Sequence, residues 1–404
     1  MRAPSGAARV PGSMRRFLTP RLAVLALGHF TIDSYSSFYL PLLPLLVHRL
    51  GLNYAMVGSL VALGSMSSSF SQPLFGLLSD RLSRPWFVAL GPMVAAVFLA
   101  STGAATSYAA LVALLVLGGI GVSAFHPQTA SIAGLTGERR AISMSIWITG
   151  GTLGWALGPM FATLTTSRFG IERSYVAALP GLAMSAVLIA WFVRVPPVAP
   201  GRRVHTRLAD LAPIARPLSL LYGVVVVRSA VSSGFATFLP PEVHDRGWSL
   251  TAGAWITTAY LTAGAFGGFA GGWLADRIGG LRVVRASFVL AAPFYAGFFF
   301  LPERPGLVSL IVGYALLQAS LPVNVVLGQE LAPRHASTIS SLLMGAAWGV
   351  GALLVGPIGV IADHAGLRMA LAALSALVVP GFVCAACIPG GAPAPRAEVE
   401  QVGT

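Results

Sequence analysis

Twelve apolar stretches follow one another along this chain, and they constrain its fold more than any other feature. Each is about 19 to 27 residues long and ends at a charged or Pro/Gly-rich break. A helix rises about 1.5 Å per residue, so about 20 apolar residues cross the roughly 30 Å hydrocarbon layer of a bilayer. The sequence therefore predicts an all-α membrane protein with twelve transmembrane helices, called spans 1 to 12: 22–47, 54–79, 86–106, 109–134, 141–167, 174–195, 217–241, 251–275, 283–301, 306–329, 337–362 and 368–389.

The composition excludes a water-soluble domain of this length. Of the 404 residues, 55% are hydrophobic and 10% are charged, and the mean hydropathy is +0.78. Thirteen acidic and 26 basic side chains cannot supply the polar surface that a soluble fold of this size needs. Lipid is expected to cover the rest of the surface.

The placement of the basic residues predicts the orientation in the membrane. All 26 are arginines. With twelve spans both termini lie on one side, and the segments on that side hold 19 arginines, whereas the opposite loops hold six and Arg228 lies inside a span. Basic residues are enriched in cytoplasmic loops, so both termini are predicted to be cytoplasmic. The net charge of +13 is therefore a topology signal, and nucleic acid is not an expected partner.

The chain also shows an internal duplication. The motif G-x-L-x-D-R ends span 2 and recurs 196 residues later at the end of span 8, and Gly158-Pro159 matches Gly356-Pro357. A Pro- and Arg-rich break separates six spans from six. The pattern predicts two pseudo-symmetric six-helix bundles. The predicted boundaries are 1–195 for the first bundle, with 1–20 a disordered cytoplasmic tail, 196–216 for a cytoplasmic linker, 217–390 for the second bundle and 391–404 for a disordered tail.

The repeated motif predicts a gate at the cytoplasmic end. Glycine lets two helix ends approach closely, and the aspartate can face the N-terminus of a neighbouring helix or pair with an arginine. Such contacts would hold this end closed while a central cavity opens outward; the alternative is that the charges only set the topology. The predicted gate residues are Gly76, Asp80, Arg81, Arg84, Gly272, Asp276, Arg277 and Arg282.

Small residues four apart in span 5 predict close packing against a neighbouring helix. Gly154 and Gly158 are followed by Pro159, which bends the span because proline donates no backbone hydrogen bond. Gly356 and Pro357 form the matching pair in span 11. Packing without any mechanistic role is the alternative.

Twelve spans, a basic central loop and the motif in both halves resemble the major facilitator superfamily of secondary transporters. The resemblance covers roughly residues 20–390 and implies that spans 1, 4, 7 and 10 line a central cavity, and that the glycine–proline element of span 5 forms the tight helix contact typical of antiporters. Span 4 lacks the arginine that many drug/proton antiporters carry. Four stretches are similar to the fosmidomycin-resistance group of efflux proteins: His29 with Asp33, Phe125-His126-Pro127, Gln329-Glu330-Leu331 with Pro333, and Ile361-Ala362-Asp363-His364.

Apart from arginines close to span ends, few ionisable side chains lie within the spans, and these few fall on the four spans that the resemblance places around the cavity. An ionisable group in the hydrocarbon layer is costly unless it faces a cavity or a partner, so each is a functional candidate. The candidates are His29 and Asp33 in span 1, His126 in span 4, Arg228 in span 7 and Glu330 near the end of span 10, with Asn324 and Gln329 as neutral hydrogen-bonding groups.

His29, Asp33 and His126 are expected to form one protonatable cluster. His29 and Asp33 are four residues apart and share a helix face, and His126 lies at a similar depth. Imidazole changes charge near neutral pH, so the cluster could couple proton binding to substrate binding. The alternative for either histidine is a hydrogen-bonded packing residue.

Arg228 matches His29 across the duplication and places a fixed positive charge in the second half. An arginine does not lose its proton in a protein, so a buried one needs a partner. The partner could be Asp33, Glu330 or an anionic substrate, and a phosphonate or carboxylate would suit the bidentate geometry of the guanidinium.

The whole pattern predicts a proton-coupled secondary transporter that exports a small drug or metabolite, anionic or neutral, by alternating access. The alternative is a proton-coupled importer of a small organic anion on the same fold. An enzyme is not expected, because motifs such as HExxH and GxSxG are absent. No cofactor or metal is expected. The expected partners are the substrate, protons and membrane lipid, and the chain is expected to be a monomer in the bacterial inner membrane.

Overall fold

The computed structural model describes residues 19–79, 82, 84–135, 140–193, 208–332, 339 and 342–389. In this part of the chain every regular element is helical, which confirms the predicted all-α class. Residues 1–18 and 391–404 of the predicted tails, and the domain boundary after residue 195, lie outside the described residues. The first helix begins at Pro20 with Thr19 as its cap, so the predicted first tail extends two residues too far.

Six spans form the first half. Several are built from two or three consecutive helices that continue in one direction. The helices are Pro20–Ser36, Leu40–Leu42 and Leu43–Leu50 in span 1; Tyr54–Phe70 and Gln72–Ser79 in span 2; Trp86–Ala100 and Ser101–Ala104 in span 3; Tyr108–Leu135 in span 4; Arg140–Phe169 in span 5; and Ile171–Ala177, Ala178–Leu188 and Ile189–Val193 in span 6.

The second half repeats this arrangement after a short helical turn, Leu208–Ile214, in the predicted linker. The first helix of this half begins at Ala215, two residues before the predicted boundary. The helices are Ala215–Asp245 in span 7; Leu250–Ile278 in span 8; Gly280–Phe300 in span 9; Glu303–Gln318 and Ser320–Leu331 in span 10; Leu342–Ala346, Ala347–Leu353 and Val355–Ala365 in span 11; and Leu367–Ala376 and Val378–Cys387 in span 12.

Local sequence signals explain where several helices begin and break. The side chains of Thr19, Asn53 and Ser249 cap the first helices of spans 1, 2 and 8 by accepting a backbone N–H from the first turn. Proline interrupts a helix because it lacks an N–H group and its ring clashes with the preceding turn. Three spans break three residues before a proline: at Ala319 before Pro322, at Leu354 before Pro357 and at Leu377 before Pro380.

Eight spans in the described part of the chain are long and apolar enough to cross a membrane on hydropathy alone. The other four are spans 1, 2, 5 and 8. Helices Pro20–Ser36 and Tyr54–Phe70 have only 17 residues each, and the long helices of spans 5 and 8 are rich in glycine and threonine. In spans 5 and 8, small residues allow backbones to approach, as at Gly154 against Phe30 and at Gly267 against Ala315.

The two halves share the same internal packing. Span 1 packs along span 5, span 3 along span 4 and span 2 along span 4; in the second half span 7 packs along span 11, span 9 along span 10 and span 8 along span 10. The turns before spans 6 and 12 also match, since Gly170 has φ 84° and ψ 156° and Gly366 has φ 86° and ψ 157°. This left-handed backbone favours glycine, so the repeat is visible in single dihedral angles.

Spans 2 and 11, and spans 5 and 8, carry the main contacts between the halves. At the end of the bundle opposite the termini, Asp363 of span 11 accepts hydrogen bonds from the backbone N–H groups of Tyr54 and Ala55, at 2.5 and 2.8 Å. The Tyr54 hydroxyl donates to Asp245 of span 7 at 3.0 Å. A carboxylate at a helix N-terminus is favourable, because it meets unpaired N–H groups and the positive end of the helix dipole. Asp363 therefore joins the two halves at this end.

Replacing Asp363 with asparagine is expected to loosen this end. The charge is lost and the amide nitrogen cannot accept a hydrogen bond, and a helix cap of this kind contributes about 0.5–2 kcal/mol. The ratio of open to closed molecules should rise about 2- to 30-fold. Spin labels at the exposed residues Arg173 and Arg304, one in each half, would report it by pulsed dipolar spectroscopy as a new population at longer distance.

The matched control is His364→Gln. Among the described residues, the His364 ring bonds to the Val360 carbonyl of its own helix, at 2.9 Å, and to no other group. An unchanged distance distribution for Asp363→Asn, or the same change in both variants, would contradict the proposed closing role of Asp363.

Candidate functional site

The described structure brings His29, Asp33 and His126 into contact between spans 1 and 4. The Nε2 atoms of the two histidines are 3.2 Å apart. Asp33 lies beside both, with Oδ2 at 3.2 Å from Nε2 of His29 and Oδ1 at 3.4 Å from Nε2 of His126. Four-residue spacing places His29 and Asp33 on one face of span 1, as predicted from the sequence. These three side chains are called the proton cluster below.

Backbone carbonyl groups orient both imidazole rings. Nδ1 of His29 lies 2.8 Å from the carbonyl oxygen of Trp147 in span 5, and Nδ1 of His126 lies 2.7 Å from that of Val122. A carbonyl oxygen only accepts, so each Nδ1 must carry the hydrogen. When both rings are neutral, neither Nε2 atom carries a hydrogen. The two Nε2 atoms and the Asp33 carboxylate are then three hydrogen-bond acceptors in contact, with no donor between them.

Span 5 encloses the proton cluster. The His29 ring stacks on the Trp147 ring with centroids 3.9 Å apart, and His29 is 5% exposed. A Cβ atom on Gly151 would overlap the His29 ring and come within 2.6 Å of Oδ2 of Asp33. Only a glycine therefore leaves room for the cluster at this position.

Gly151→Ala is expected to reduce transport at least tenfold, because the added methyl group must displace His29 or Asp33, and misplacement of about 1 Å costs roughly 100-fold in comparable reacting sites. Gly356→Ala is the matched control, since a Cβ atom at position 356 would meet nothing within 4 Å. Both variants should be compared at equal membrane abundance in the same transport assay. Wild-type transport by Gly151→Ala would show that the cluster tolerates the displacement.

Two imidazole nitrogens and a carboxylate could also hold a divalent metal ion, as they are common ligands of transition metals. One ligand atom from each of the three side chains of the proton cluster lies within 4.8 Å of the other two, which is close enough for one ion. A proton satisfies the same three acceptors without any further ligand.

A second polar group lies in the other half, around Arg228 in span 7. The Arg228 side chain is 2% exposed, and its Nη1 donates to Oε1 of Gln318 in span 10 at 2.8 Å. The guanidinium carbon lies 5.1 Å from the centre of the Trp348 ring in span 11. Gln318 in turn donates to the Tyr314 hydroxyl at 2.9 Å. Gln318 is not among the residues that the sequence singles out, since those are mainly ionisable.

The acidic partners proposed for Arg228 do not bind it. Asp33 pairs with the two histidines, and Glu330 is exposed near the end of span 10. Among the described residues no carboxylate oxygen lies within 4 Å of the Arg228 guanidinium. Of the two expected neutral groups in span 10, Asn324 is 1% exposed and neither atom of its amide has a hydrogen-bond partner, whereas Gln329 is half-buried and engaged in an interaction.

The duplication is visible in the contacts of the two clusters. In the first half His29 donates from Nδ1 to the Trp147 carbonyl and stacks on the Trp147 ring. In the second half the Ser229 hydroxyl donates to the Trp348 carbonyl at 3.2 Å, and Arg228 lies over the Trp348 ring. Arg228 and the proton cluster therefore occupy corresponding depths in the two halves.

The predicted cytoplasmic gate is only partly described. Asp80 and Arg81 lie outside the described residues, and Arg84 donates to the Val193 carbonyl at 3.2 Å. A Cβ atom on Gly76 would lie 3.8 Å from Pro127, and one on Gly272 would lie 3.6 Å from Pro322, so both glycines face proline in their own half.

The expected pairing of Asp276 with arginine is not formed in this structure. Arg277 lies over the Trp273 ring one turn earlier, with its guanidinium carbon 3.3 Å from the ring centre, and Arg282 donates to the Ile278 carbonyl at 3.2 Å. Neighbouring residues on a helix point in different directions, which explains why Asp276 and Arg277 do not meet. A gate formed by these residues stays a prediction.

The glycines of span 5 lie against span 1. A Cβ atom on Gly154 would overlap the Phe30 carbonyl oxygen, and one on Gly158 would overlap the Ser34 carbonyl oxygen and the Ser37 hydroxyl. Pro159 lies within the same helix. In span 11, Gly351 approaches span 7 closely and Gly359 approaches Tyr54 of span 2. A Cβ atom on Gly356 would meet nothing within 4 Å, and its neighbour Pro357 follows the helix break.

The chain is similar in sequence to known transporters. A sequence model of the Major Facilitator Superfamily matches residues 25–342 and 221–403. The chain is 27% identical over 363 residues to the fosmidomycin resistance protein of Escherichia coli (strain K12), covering 86% of this chain and 87% of that one. It is 27% identical over 366 residues to a probable 4-methylmuconolactone transporter of Cupriavidus pinatubonensis (strain JMP 134 / LMG 1197), covering 86% and 83%.

Among solved structures, the fold is similar to that of a bacterial homologue of the human lysosomal transporter Spinster, in an inward-facing and occupied conformation. The TM-score is 0.76 with 17% sequence identity, over 90% of this chain and 95% of that one. This similarity extends to both halves.

Proposed function

Since the chain belongs to the Major Facilitator Superfamily and is a multi-pass membrane transporter rather than an enzyme, we propose that it is a proton-coupled exporter of a small drug or metabolite. The solute leaves the cell as protons enter, by alternating access of the two six-helix halves. In this proposal the protein lies in the bacterial inner membrane with both termini in the cytoplasm, as the arginine distribution predicts.

The proton cluster is the observation that carries this proposal. With both Nδ1 atoms donating to carbonyl groups, three acceptors converge within 3.4 Å if no further proton is present. Unmatched buried acceptors cost about 1–3 kcal/mol each. One proton on an Nε2 atom removes the conflict, because it pairs with the Asp33 carboxylate and lies beside the other ring. The geometry therefore supports a cluster that binds a proton and stays close to electrical neutrality.

Coupling follows when the two halves separate. Movement of span 1 or span 4 by about 1 Å lengthens the contacts that hold the proton, and water then reaches the ring nitrogens. The proton leaves on the side where the cluster is wetted. Asp33 and the histidines must be reloaded before the cluster can close again, and this links each conformational cycle to a proton.

Export is favoured over import by the similarity to the fosmidomycin resistance protein. The alternative is a proton-coupled importer of a small organic anion. The importer is supported by the relative named a probable 4-methylmuconolactone transporter, because that protein is named for a metabolite and not for drug resistance. Both proposals use the same proton cluster.

Drug susceptibility of a hypersensitive bacterial host tests the direction. The host would express the chain, His126→Ala or the surface control Glu172→Gln at equal membrane abundance, and the panel would include fosmidomycin and small organic anions. Resistance that disappears in His126→Ala and remains in Glu172→Gln supports the exporter. Unchanged susceptibility, together with proton-driven uptake of a panel member into right-side-out vesicles, would replace it with the importer.

A further inference from the structure

Arg228 is a buried cation for which the described residues supply no carboxylate. It lies within span 7 and is 2% exposed, and its Nε atom has no hydrogen-bond partner in the part of the chain that the structure describes. An unpaired charge in the hydrocarbon layer is costly, so such groups pair with an anion or line a solute pathway. With Asp33 engaged by the histidines and Glu330 exposed, the missing negative charge must come from outside this part of the chain.

The surroundings hold the guanidinium in one orientation. The Trp348 ring covers its flat face, and Oε1 of Gln318 accepts from Nη1. Gln318 is fixed in turn, because its Nε2 donates to the Tyr314 hydroxyl and that hydroxyl is 2.8 Å from the Ser232 hydroxyl. A chain of neutral groups therefore positions Arg228 without neutralising it, and leaves the Nε donor free.

A second buried polar side chain without a partner lies in span 10. Both the oxygen and the nitrogen of the Asn324 amide are buried and unpaired. A native interior seldom leaves such atoms unsatisfied unless they serve a ligand or water. Among the described residues, the Asn324 amide and the Nε atom of Arg228 thus have no hydrogen-bond partner, and both lie in the half that does not contain the proton cluster.

We propose that Arg228 binds the oxyanion group of the transported solute, a carboxylate or a phosphonate, with Trp348 covering the guanidinium and Asn324 adding a neutral hydrogen bond. This inference rests on the proposed transport function and assigns its substrate class. An oxyanion matches the planar donor edge of arginine and forms charge-assisted hydrogen bonds. The anion and the proton then bind to opposite halves at corresponding depths, as the matched Trp147 and Trp348 contacts indicate.

Thermal unfolding of the purified full-length protein tests the inference without requiring transport. The probes are phenylphosphonate, benzoate, inorganic phosphate and the neutral analogue benzamide, at equal concentration in a low-salt buffer. A ligand that binds the folded state raises the melting temperature in proportion to its affinity. Phenylphosphonate and benzoate should stabilise the wild type, whereas benzamide should not. If phosphate also raises the melting temperature, the oxyanion suffices for binding. If phosphate has no effect, the site also contacts the organic part of the ligand. Both results support the inference.

Gln318→Glu is the sharpest variant, because it places a carboxylate beside Nη1 at the position of an existing acceptor. It should raise the melting temperature without ligand and weaken anion binding about 10- to 100-fold, since the internal carboxylate takes the place of the solute. Arg228→Gln should lose the anion shift, and the exposed control Arg304→Gln should keep it. If Arg228→Gln does not fold, Gln318→Glu alone decides.

The inference is wrong if no anion stabilises the wild type, or if Gln318→Glu retains the wild-type anion shift. These results differ from a failure of the proposed function. If anions bind in an Arg228-dependent way but transport moves no protons, only the proposed proton coupling is contradicted. If Gln318→Glu leaves proton-coupled transport intact, only the proposed anion site is contradicted.

Discussion

Asp33→Asn is expected to abolish proton-coupled transport while leaving solute exchange in place. The carboxylate is what makes a proton necessary in the cluster, because it is one of three acceptors that converge there. An asparagine amide can donate to a histidine Nε2 itself, so the cluster is satisfied without a proton. The conformational cycle then runs with no proton bound.

The measurement uses proteoliposomes loaded with a pH-sensitive dye and a solute identified by the susceptibility panel. Solute-dependent proton movement should fall at least about 100-fold, in line with the loss of a general acid–base group. Counterflow of labelled solute, which needs no net proton transfer, should persist. Glu172→Gln is the matched acid-to-amide control, as Glu172 is exposed and its pair with Arg49 at 3.6 Å is a surface contact. Uphill transport by Asp33→Asn at more than half of the wild-type rate would contradict the coupling role of Asp33.

Gly154→Ala is expected to destabilise the fold strongly. A Cβ atom at this position would overlap the Phe30 carbonyl oxygen and lie 2.8 Å from the carbonyl carbon. Both are backbone atoms that cannot rotate away, so span 5 must move from span 1. Forced overpacking of this kind costs about 1–3 kcal/mol. The displacement also reaches the proton cluster, since His29 and Trp147 lie on the same pair of spans.

Thermal unfolding in detergent measures this effect. Gly64→Ala in span 2 is the control, because its Cβ atom would make an ordinary contact at 3.8 Å with Leu115. The control should melt at or slightly above the wild-type temperature, since alanine favours a helix more than glycine does. Equal melting temperatures for the two variants would mean that spans 1 and 5 separate without cost, and would remove the argument for a tight contact.

Several site features could be predicted because they depend on spacing within one helix. His29 and Asp33 are four residues apart and meet as expected. The glycines of span 5 also lie four apart and face one neighbouring helix. Asp276 and Arg277 are adjacent, and the same rule shows why their expected contact is not formed: Arg277 meets Trp273 one turn away instead.

Other features depend on groups that carry no signal in the sequence. The Trp147 carbonyl orients His29, but any residue has a carbonyl group. Gln318 of span 10 binds Arg228 of span 7, and nothing in the sequence pairs these two residues. Asp363 meets the N-terminus of span 2 across more than 300 residues. An inventory of all polar residues on the cavity-lining spans would have found Gln318, but not that it pairs with Arg228.

The sequence by itself determined that twelve helices cross a membrane in two related halves, and that the buried ionisable groups lie on spans 1, 4, 7 and 10. These properties follow from helix length, the cost of burying charge and the repeat, all of which are local or periodic along the chain. Only the tertiary structure decided that His126 reaches Asp33 and that Arg228 meets no acid among the described residues. In lipid every helix face is similarly apolar, so the rotation of each helix is set by which small residues allow close contact with a neighbour, and not by hydropathy.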